Sequence, residues 1–302
     1  MRALIIGYGS IGGRHARLLT DMGHEVACVT RNPECPYPAF ADIPSALADK
    51  TPWLAVIATA TTDHDANLRA LLDAGFAGRI LVEKPLFTNI PDKPFEAGDN
   101  VSVAYNLRFH PMVARTRELL AGRKVLNARF AVAQYLPDWR PGTDYSKSYS
   151  ASRARGGGVL RDLSHELDLA QFLLGGWQRA TALGGRYGDL KIDSDDQYSV
   201  LMETANCPMV GIHMDYLSRT PHRAFEITCA DRTLKADFMG GFLTVDGTVE
   251  EFPPERDATY RFQLEAMAMG DPTPCTYAQG LALVELIEGL ERAVAQHIWI
   301  EA

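Results

Sequence analysis

Residues 3–14 constrain this chain more than any other stretch. The apolar run Ala3-Leu4-Ile5-Ile6 leads straight into Gly7-Tyr8-Gly9-Ser10-Ile11-Gly12, and the helix-compatible segment Gly13-Arg14-His15-Ala16-Arg17-Leu18-Leu19 follows. A buried strand, a Gly-x-Gly-x-x-Gly turn and a helix, in that order, make the phosphate cradle of a dinucleotide site. Gly7 permits the tight turn, Gly9 leaves the backbone open to a pyrophosphate, and Gly12 lets the helix pack close to the strand. The start of the helix presents unpaired N–H groups and a partial positive charge, so Ser10 and Ile11 join the three glycines as expected cofactor contacts. The competing reading is a glycine-rich turn that binds nothing; the strand before it and the helix after it favour the cradle.

The first hundred residues continue the alternation. Strand-like runs at 2–6, 25–30, 53–58, 79–82 and 101–105 are separated by helix-like runs at 12–22, 43–48 and 63–74. Trp53-Leu54-Ala55-Val56-Ile57-Ala58 is apolar without alternation, as in a sheet covered on both faces. The pattern predicts a doubly wound parallel sheet over residues 1–104. From 105 to 302 the character changes. Helices are expected at 111–121, 159–174 and 277–296, and long strands at 125–135, 198–204, 209–216 and 224–229, with shorter ones at 233–238 and 242–245. That is a second domain of the α+β type on a largely antiparallel sheet.

A length of 302 residues suits two domains with sizeable cores. The net charge of −8 argues against a general nucleic-acid binder. No apolar run approaches the ~20 residues that span a bilayer, so no membrane partner is expected. The opening run is too short to read as a secretory signal. The five cysteines are scattered, with no Cys-x-x-Cys pair, which fits reduced thiols and a cytoplasmic setting.

Three groups of residues can carry chemistry. Ligands on open α/β sheets bind beyond the carboxyl ends of the strands, where Gly7 to Gly12, Ala58-Thr59 with His64, and Glu83-Lys84-Pro85 should meet. Lys84, just past a strand in a proline-stiffened turn, is a candidate proton donor or acceptor; the alternative is a surface lysine. The second group follows Gly156-Gly157-Gly158, where Asp162, His165 and Glu166 share a helix face. A carboxylate beside an imidazole can orient and tune it, and glycines let a helix start approach a ligand. A flexible linker with a solvated polar face is the alternative. No second histidine stands at a convincing spacing for a metal, so none is expected. The third group joins Arg108 to the polar loop 138–155, with Arg140, Tyr149 and Arg153. Cations and aromatics mixed in an acidic chain suit a sugar bearing a phosphate, carboxylate or nucleotide.

Together these motifs resemble the glucose–fructose oxidoreductase / inositol dehydrogenase / MocA family over nearly the whole chain. The resemblance rests on Gly-Tyr-Gly-Ser-Ile-Gly-Gly-Arg-His at the start, Ala58-Thr59-Ala60 with His64, Glu83-Lys84-Pro85, Tyr105-Asn106-Leu107-Arg108-Phe109 and the triple-glycine helix. It implies an N-terminal Rossmann domain, NAD(P)-dependent oxidation or reduction of sugars and cyclitols, and an open antiparallel sheet in the second domain used for homodimer or homotetramer contacts. It makes Lys84 the catalytic lysine and places Glu83 and Asn106 with the cofactor residues. The family pattern Gly-Gly-Gly-x-x-x-Asp-x-x-x-His is one residue shorter here, so either His165 keeps the role on a shifted helix or Glu166 stands in its place. The stretch Ser164 to Asp168, with loop 138–149 and His213-Met214-Asp215-Tyr216, resembles a subgroup tied to surface polysaccharide and sialic-acid-like sugar synthesis.

Strand two ends in Val29-Thr30-Arg31-Asn32, with no acid to bind a ribose 2′-OH. A hydroxyl from Thr30 and a guanidinium from Arg31 suit a 2′-phosphate, which favours NADP(H) over NAD(H). The expected reaction is hydride transfer between nicotinamide and a hydroxyl-bearing carbon of a sugar, with Lys84 exchanging the proton, His165 assisting and Asp162 orienting. Arg108, Arg140, Tyr149, Arg153 and His165 are the expected substrate contacts. A glycosidase of the same fold that recycles its NAD, and a non-catalytic cofactor sensor, are the rival readings.

Overall fold

The computed structural model describes residues 1–93 and 98–302. Its contacts divide the chain into two units: Met1–Asn106 with Asp257–Val284, and Leu107–Arg256 with Glu285–Ala302.

The first unit opens β1 (Arg2–Ile6), α1 (Ser10–Asp21), β2 (Glu25–Val29), β3 (Ala39–Phe40), α2 (Ile43–Asp49), β4 (Leu54–Ile57), α3 (His64–Asp73), β5 (Arg79–Val82) and β6 (Val101–Val103). The strands lie parallel in the order β6-β5-β4-β1-β2-β3. Every residue of β1 and β4 is buried, because helices cover both faces of a parallel sheet and water reaches neither. Along α1, Gly12, His15, Ala16, Leu18 and Leu19 are buried, the spacing that turns one helical stripe onto the sheet.

The second unit contains α4 (Pro111–Leu120), β7 (Val125–Ala133), α5 (Val159–Asp162), α6 (His165–Leu174), β8 (Trp177–Gly185), β9 (Gln197–Thr204), β10 (Cys207–Asp215), β11 (His222–Cys229), β12 (Thr233–Asp237), β13 (Phe242–Val245) and β14 (Thr248–Glu251). The chain then returns to the first unit with α7 (Ala258–Met269) and β15 (Cys275–Thr276). α8 (Tyr277–Gln296) follows, and β16 (Ile300–Glu301) ends the second unit's sheet. That sheet runs β14-β13-β12-β11-β7-β10-β9-β8-β16. All its pairings are antiparallel except β10 with β7. Alternate residues are buried, as in β9, while Leu183, Leu201 and Met209 are exposed.

Several features go beyond the sequence expectation. Asp257–Val284 groups by contacts with the first unit, where Leu264 and Met267 of α7 join Ile5, Leu19, Val56 and Leu81 in the core. Neither α7 nor β8 is predicted from pattern. The buried face of α7 includes Gln263, which interrupts its apolar stripe. β8 carries two alanines, two glycines, Gln178 and Arg179 among its nine residues, which weakens its strand signal. Lastly, the helix expected over 159–174 is two helices broken at Leu163 and Ser164.

Candidate functional site

In the first unit the Gly7–Gly12 corner is fixed by close backbone contact. Gly7 adopts φ +94°, and a Cβ there would lie 2.8 Å from Ala58 O and Thr59 N. A Cβ on Gly12 would lie 1.9 Å from Gly7 O, so the helix packs on the turn only without a side chain. Gly9 differs, because a Cβ there meets nothing within 4 Å. Gly9 is also the N-cap of α1, which has no side-chain cap and no acid in its first turn. The helix start at Ser10 and Ile11 therefore faces open space with its donors and its positive dipole end uncompensated, the chemistry an anionic pyrophosphate needs.

The neighbouring segments are held to this corner. Asn32 Nδ2 donates to Tyr8 O (3.1 Å), and the Asn32 N–H donates to Thr30 Oγ1 (3.0 Å), which shapes the turn after β2 and leaves Arg31 exposed. Thr59 Oγ1 accepts from Asn67 Nδ2 (3.2 Å). Lys84 is half-buried just past β5. Three expected cofactor residues serve the protein's own framework. Glu83 is 8 % exposed, with Oε1 2.8 Å from His15 Nε2. Asn106 donates to Thr259 Oγ1 (2.7 Å). His64 is buried, its Nδ1 3.1 Å from Leu86 O and its Nε2 3.3 Å from Thr59 O.

Burial holds the His64 imidazole below the ordinary histidine range, against the carbonyls and Glu83, which raise it; burial lowers His110 likewise. A folded value below the unfolded one means the unfolded chain takes up protons first as pH falls, so folding stability drops as pH passes down through about 6.5. The melting temperature is expected to be lower at about pH 5.5 than at about pH 7.5, with a smaller difference in His64→Asn. An equal or higher value at the lower pH would contradict this sign.

In the second unit two tyrosine side chains from distant segments converge on Asp162. The Tyr149 hydroxyl donates to its Oδ1 and the Tyr216 hydroxyl to its Oδ2. Burial and the adjacent Asp162 charge push both phenols well above their ordinary value, so both remain proton donors. Trp139 stands edge-on to Tyr216, ring centroids 5.1 Å apart. Tyr216 has no sequence signal as a partner of Asp162, 54 residues away. His165 is half-buried at the start of α6. Glu166 is 1 % exposed and paired with Arg223 at 2.8 Å, which occupies it in the interior.

The triple glycine and Arg108 both pack against the second unit's own residues. A Cβ on Gly157 would lie 2.1 Å from Tyr149 O, and one on Gly158 2.4 Å from Asp195 Oδ1. The space these glycines leave is filled by the chain itself. Asp195 caps α5, its Oδ2 accepting from Leu160 N (3.1 Å), and burial raises its carboxyl. Arg108 is 4 % exposed, and its guanidinium lies on Asp168 through Nε (3.0 Å to Oδ2) and Nη2 (2.6 Å to Oδ1), over the Phe172 ring at 4.7 Å. It is engaged within the unit by Asp168 and Phe172. Arg140 and Arg153 are exposed on loop 138–155, and the Arg153 N–H donates to Asp193 Oδ1 (2.7 Å).

Residues 1–97 match the model of an oxidoreductase family with an NAD-binding Rossmann fold, and residues 113–235 match the GFO/IDH/MocA C-terminal domain. No curated protein matches the chain. Among solved structures, levoglucosan dehydrogenase in complex with NADH and levoglucosan is 19 % identical with a TM-score of 0.83, over 100 % of this chain and 99 % of its own. GenD2 from gentamicin A biosynthesis, in complex with NAD, is 23 % identical at TM-score 0.80, over 100 % and 96 %. A myo-inositol dehydrogenase from Corynebacterium glutamicum is 20 % identical at TM-score 0.80, over 100 % and 98 %. At these identities the likeness is one of fold.

Proposed function

We infer that this chain, which belongs to the GFO/IDH/MocA oxidoreductase family, transfers a hydride between a nicotinamide coenzyme and a hydroxyl-bearing carbon of a sugar, cyclitol or activated sugar derivative. The observation that carries the reading is the open corner at Gly9 and the uncapped, acid-free start of α1, which fits a pyrophosphate. When bound, the coenzyme supplies the hydride acceptor or donor. Lys84, as the free amine, takes the hydroxyl proton in the oxidative direction and returns it in the reductive one. His165 assists that transfer, and Asp162, held between Tyr149 and Tyr216, keeps the second unit's polar groups in register. Arg140, Tyr149 and Arg153 are the proposed substrate contacts. Work on surface-polysaccharide or sialic-acid-like sugars rests on the subgroup resemblance of Ser164 to Asp168.

NADP(H) is the favoured coenzyme, supported by the exposed Arg31 beside Thr30 at the end of β2. A homodimer or homotetramer assembled through the open sheet is supported by the exposed Leu183, Leu201 and Met209. The five free cysteines support a cytoplasmic setting. No helix among the described residues is long and apolar enough to cross a membrane.

A thermal-shift screen with NAD(H), NADP(H) and a panel of sugars, sugar phosphates and nucleotide sugars tests the reading. A ligand at a hundred times its Kd adds about 2.7 kcal/mol to stability, so the coenzyme and then a sugar should each raise the melting temperature. Arg31→Glu should weaken NADPH by about tenfold or more and spare NADH, since it replaces a charge-assisted contact with repulsion. No shift with any coenzyme would overturn the reading; equal NADPH binding in Arg31→Glu would overturn the 2′-phosphate assignment.

A further inference from the structure

His15 lies on α1, is wholly buried, and its Nε2 stands 2.8 Å from Glu83 Oε1. The other carboxylate oxygen, Glu83 Oε2, accepts from the backbone N–H of Lys84 at 3.2 Å. One carboxylate thus links the helix that follows the glycine turn to the peptide that carries Lys84. The Tyr260 ring meets His15 edge-on at 5.8 Å, and Arg14 lies over Tyr260 at 4.9 Å while pairing with Asp257 at 3.3 Å. These contacts wall in the imidazole from the α7 side. On the far side of the same turn, His64 holds Pro85 O and Leu86 O.

The two ring nitrogens differ in their surroundings. His15 Nδ1 is buried with no hydrogen-bond partner among the described residues. A carboxylate only accepts, so the ring nitrogen that faces it is the one that bears a hydrogen. Nε2 therefore carries the hydrogen and donates to Glu83 Oε1. The carboxylate is then anchored by one N–H from α1 and one from Lys84, which fixes its direction as well as its distance.

We propose that His15 and Glu83 form a buried strut that sets the position of Lys84 relative to α1, and that both act on the reaction as positioning residues. The importance of the strut for turnover rests on the reading of Lys84 as the proton-exchanging group; its existence does not. A misplacement of about 1 Å at a reacting group can cost about a hundredfold in rate, so a lysine on a turn gains from a rigid brace. Glu83 and His15 touch neither substrate nor coenzyme in this account. Their effect passes through the Lys84 peptide.

The test uses the full chain with its lysines reductively 13C-methylated, the Lys84 signal assigned by its loss in Lys84→Arg. His15→Leu removes the donor, whereas His15→Gln keeps an N–H able to reach Glu83. Loss of the brace moves the Lys84 peptide and with it the surroundings of the amine, so the Lys84 titration midpoint in His15→Leu should move by at least ~0.5 pH unit. In His15→Gln it should return at least halfway, with both variants melting cooperatively. In the wild type, the 15N spectrum should show a hydrogen on His15 Nε2. A Lys84 midpoint unchanged in His15→Leu, or equally displaced in His15→Gln, would overturn the strut. Should His15→Leu fail to fold, Glu83→Gln gives the same readout, with the same displacement expected and an unchanged midpoint counting against the proposal. NADPH and NADH titrations of the wild type, followed by tryptophan fluorescence, report separately on the coenzyme reading, so the two can fail independently.

Discussion

Lys84→Ala is expected to lower turnover by about 10²- to 10⁴-fold, the range a positioned general acid or base supplies, while coenzyme affinity stays close to that of the wild type. The separation follows from where the residue sits. The phosphate end of the corner is built by Gly7, Gly9 and the start of α1, whose geometry depends on backbone contacts with Ala58 and Thr59 and not on Lys84. The Lys84 turn is braced from both sides without using its side chain, by Glu83 with His15 and by His64 at Pro85 and Leu86. Truncating the side chain should therefore leave the turn in place and remove only the proton-exchanging amine. Stopped-flow traces of nicotinamide absorbance, with coenzyme binding measured alongside, check the outcome. Normal turnover in the variant would remove Lys84 from the mechanism. Joint loss of binding and turnover would make it a structural residue.

Arg108→Ala is expected to destabilise the fold by about 3–5 kcal/mol, the cost of leaving a buried carboxylate without its partner. Asp168 is fully buried, receives Nε and Nη2 of Arg108, and packs in a unit where Phe172 carries Arg108 on its ring at 4.7 Å and Arg117 at 4.4 Å. Removing both charges together, as in Arg108→Met with Asp168→Leu, should recover most of that loss, because well-packed apolar residues replace a buried ion pair at little net cost. Urea denaturation measures both. If Arg108 instead bound substrate, Arg108→Ala would leave the denaturation midpoint alone and raise KM, the opposite pattern.

The parts of this structure that sequence reveals are those fixed by local rules. The apolar runs of β1 and β4, the glycine corner and the strand β5 that ends at Glu83-Lys84 follow from periodicity and from steric needs within a few residues. The hidden parts depend on partners far along the chain. Nothing near Arg108 says that Asp168 will occupy it, and nothing near Asp162 points to Tyr216. The glycines at 157 and 158 show the limit well. Their small size is legible, but whether a ligand or the protein's own Tyr149 backbone and Asp195 carboxylate fills the room is decided only in three dimensions. The return of α7 to the first unit is hidden for a related reason, since a buried Gln263 breaks the stripe that would announce a core helix.

The most direct measurement is a calorimetric titration of the wild type and Gly9→Asp with NADPH and NADH. A Cβ at Gly9 meets nothing within 4 Å, and aspartate is a favoured N-cap, so the variant should fold at least as stably as the wild type. Its carboxylate would stand and repel where a pyrophosphate must come. The account predicts binding to the wild type and a loss of at least about a hundredfold in Gly9→Asp, near 2.7 kcal/mol, with an undiminished melting temperature. Equal coenzyme affinity in the two proteins, or none in the wild type, would contradict it.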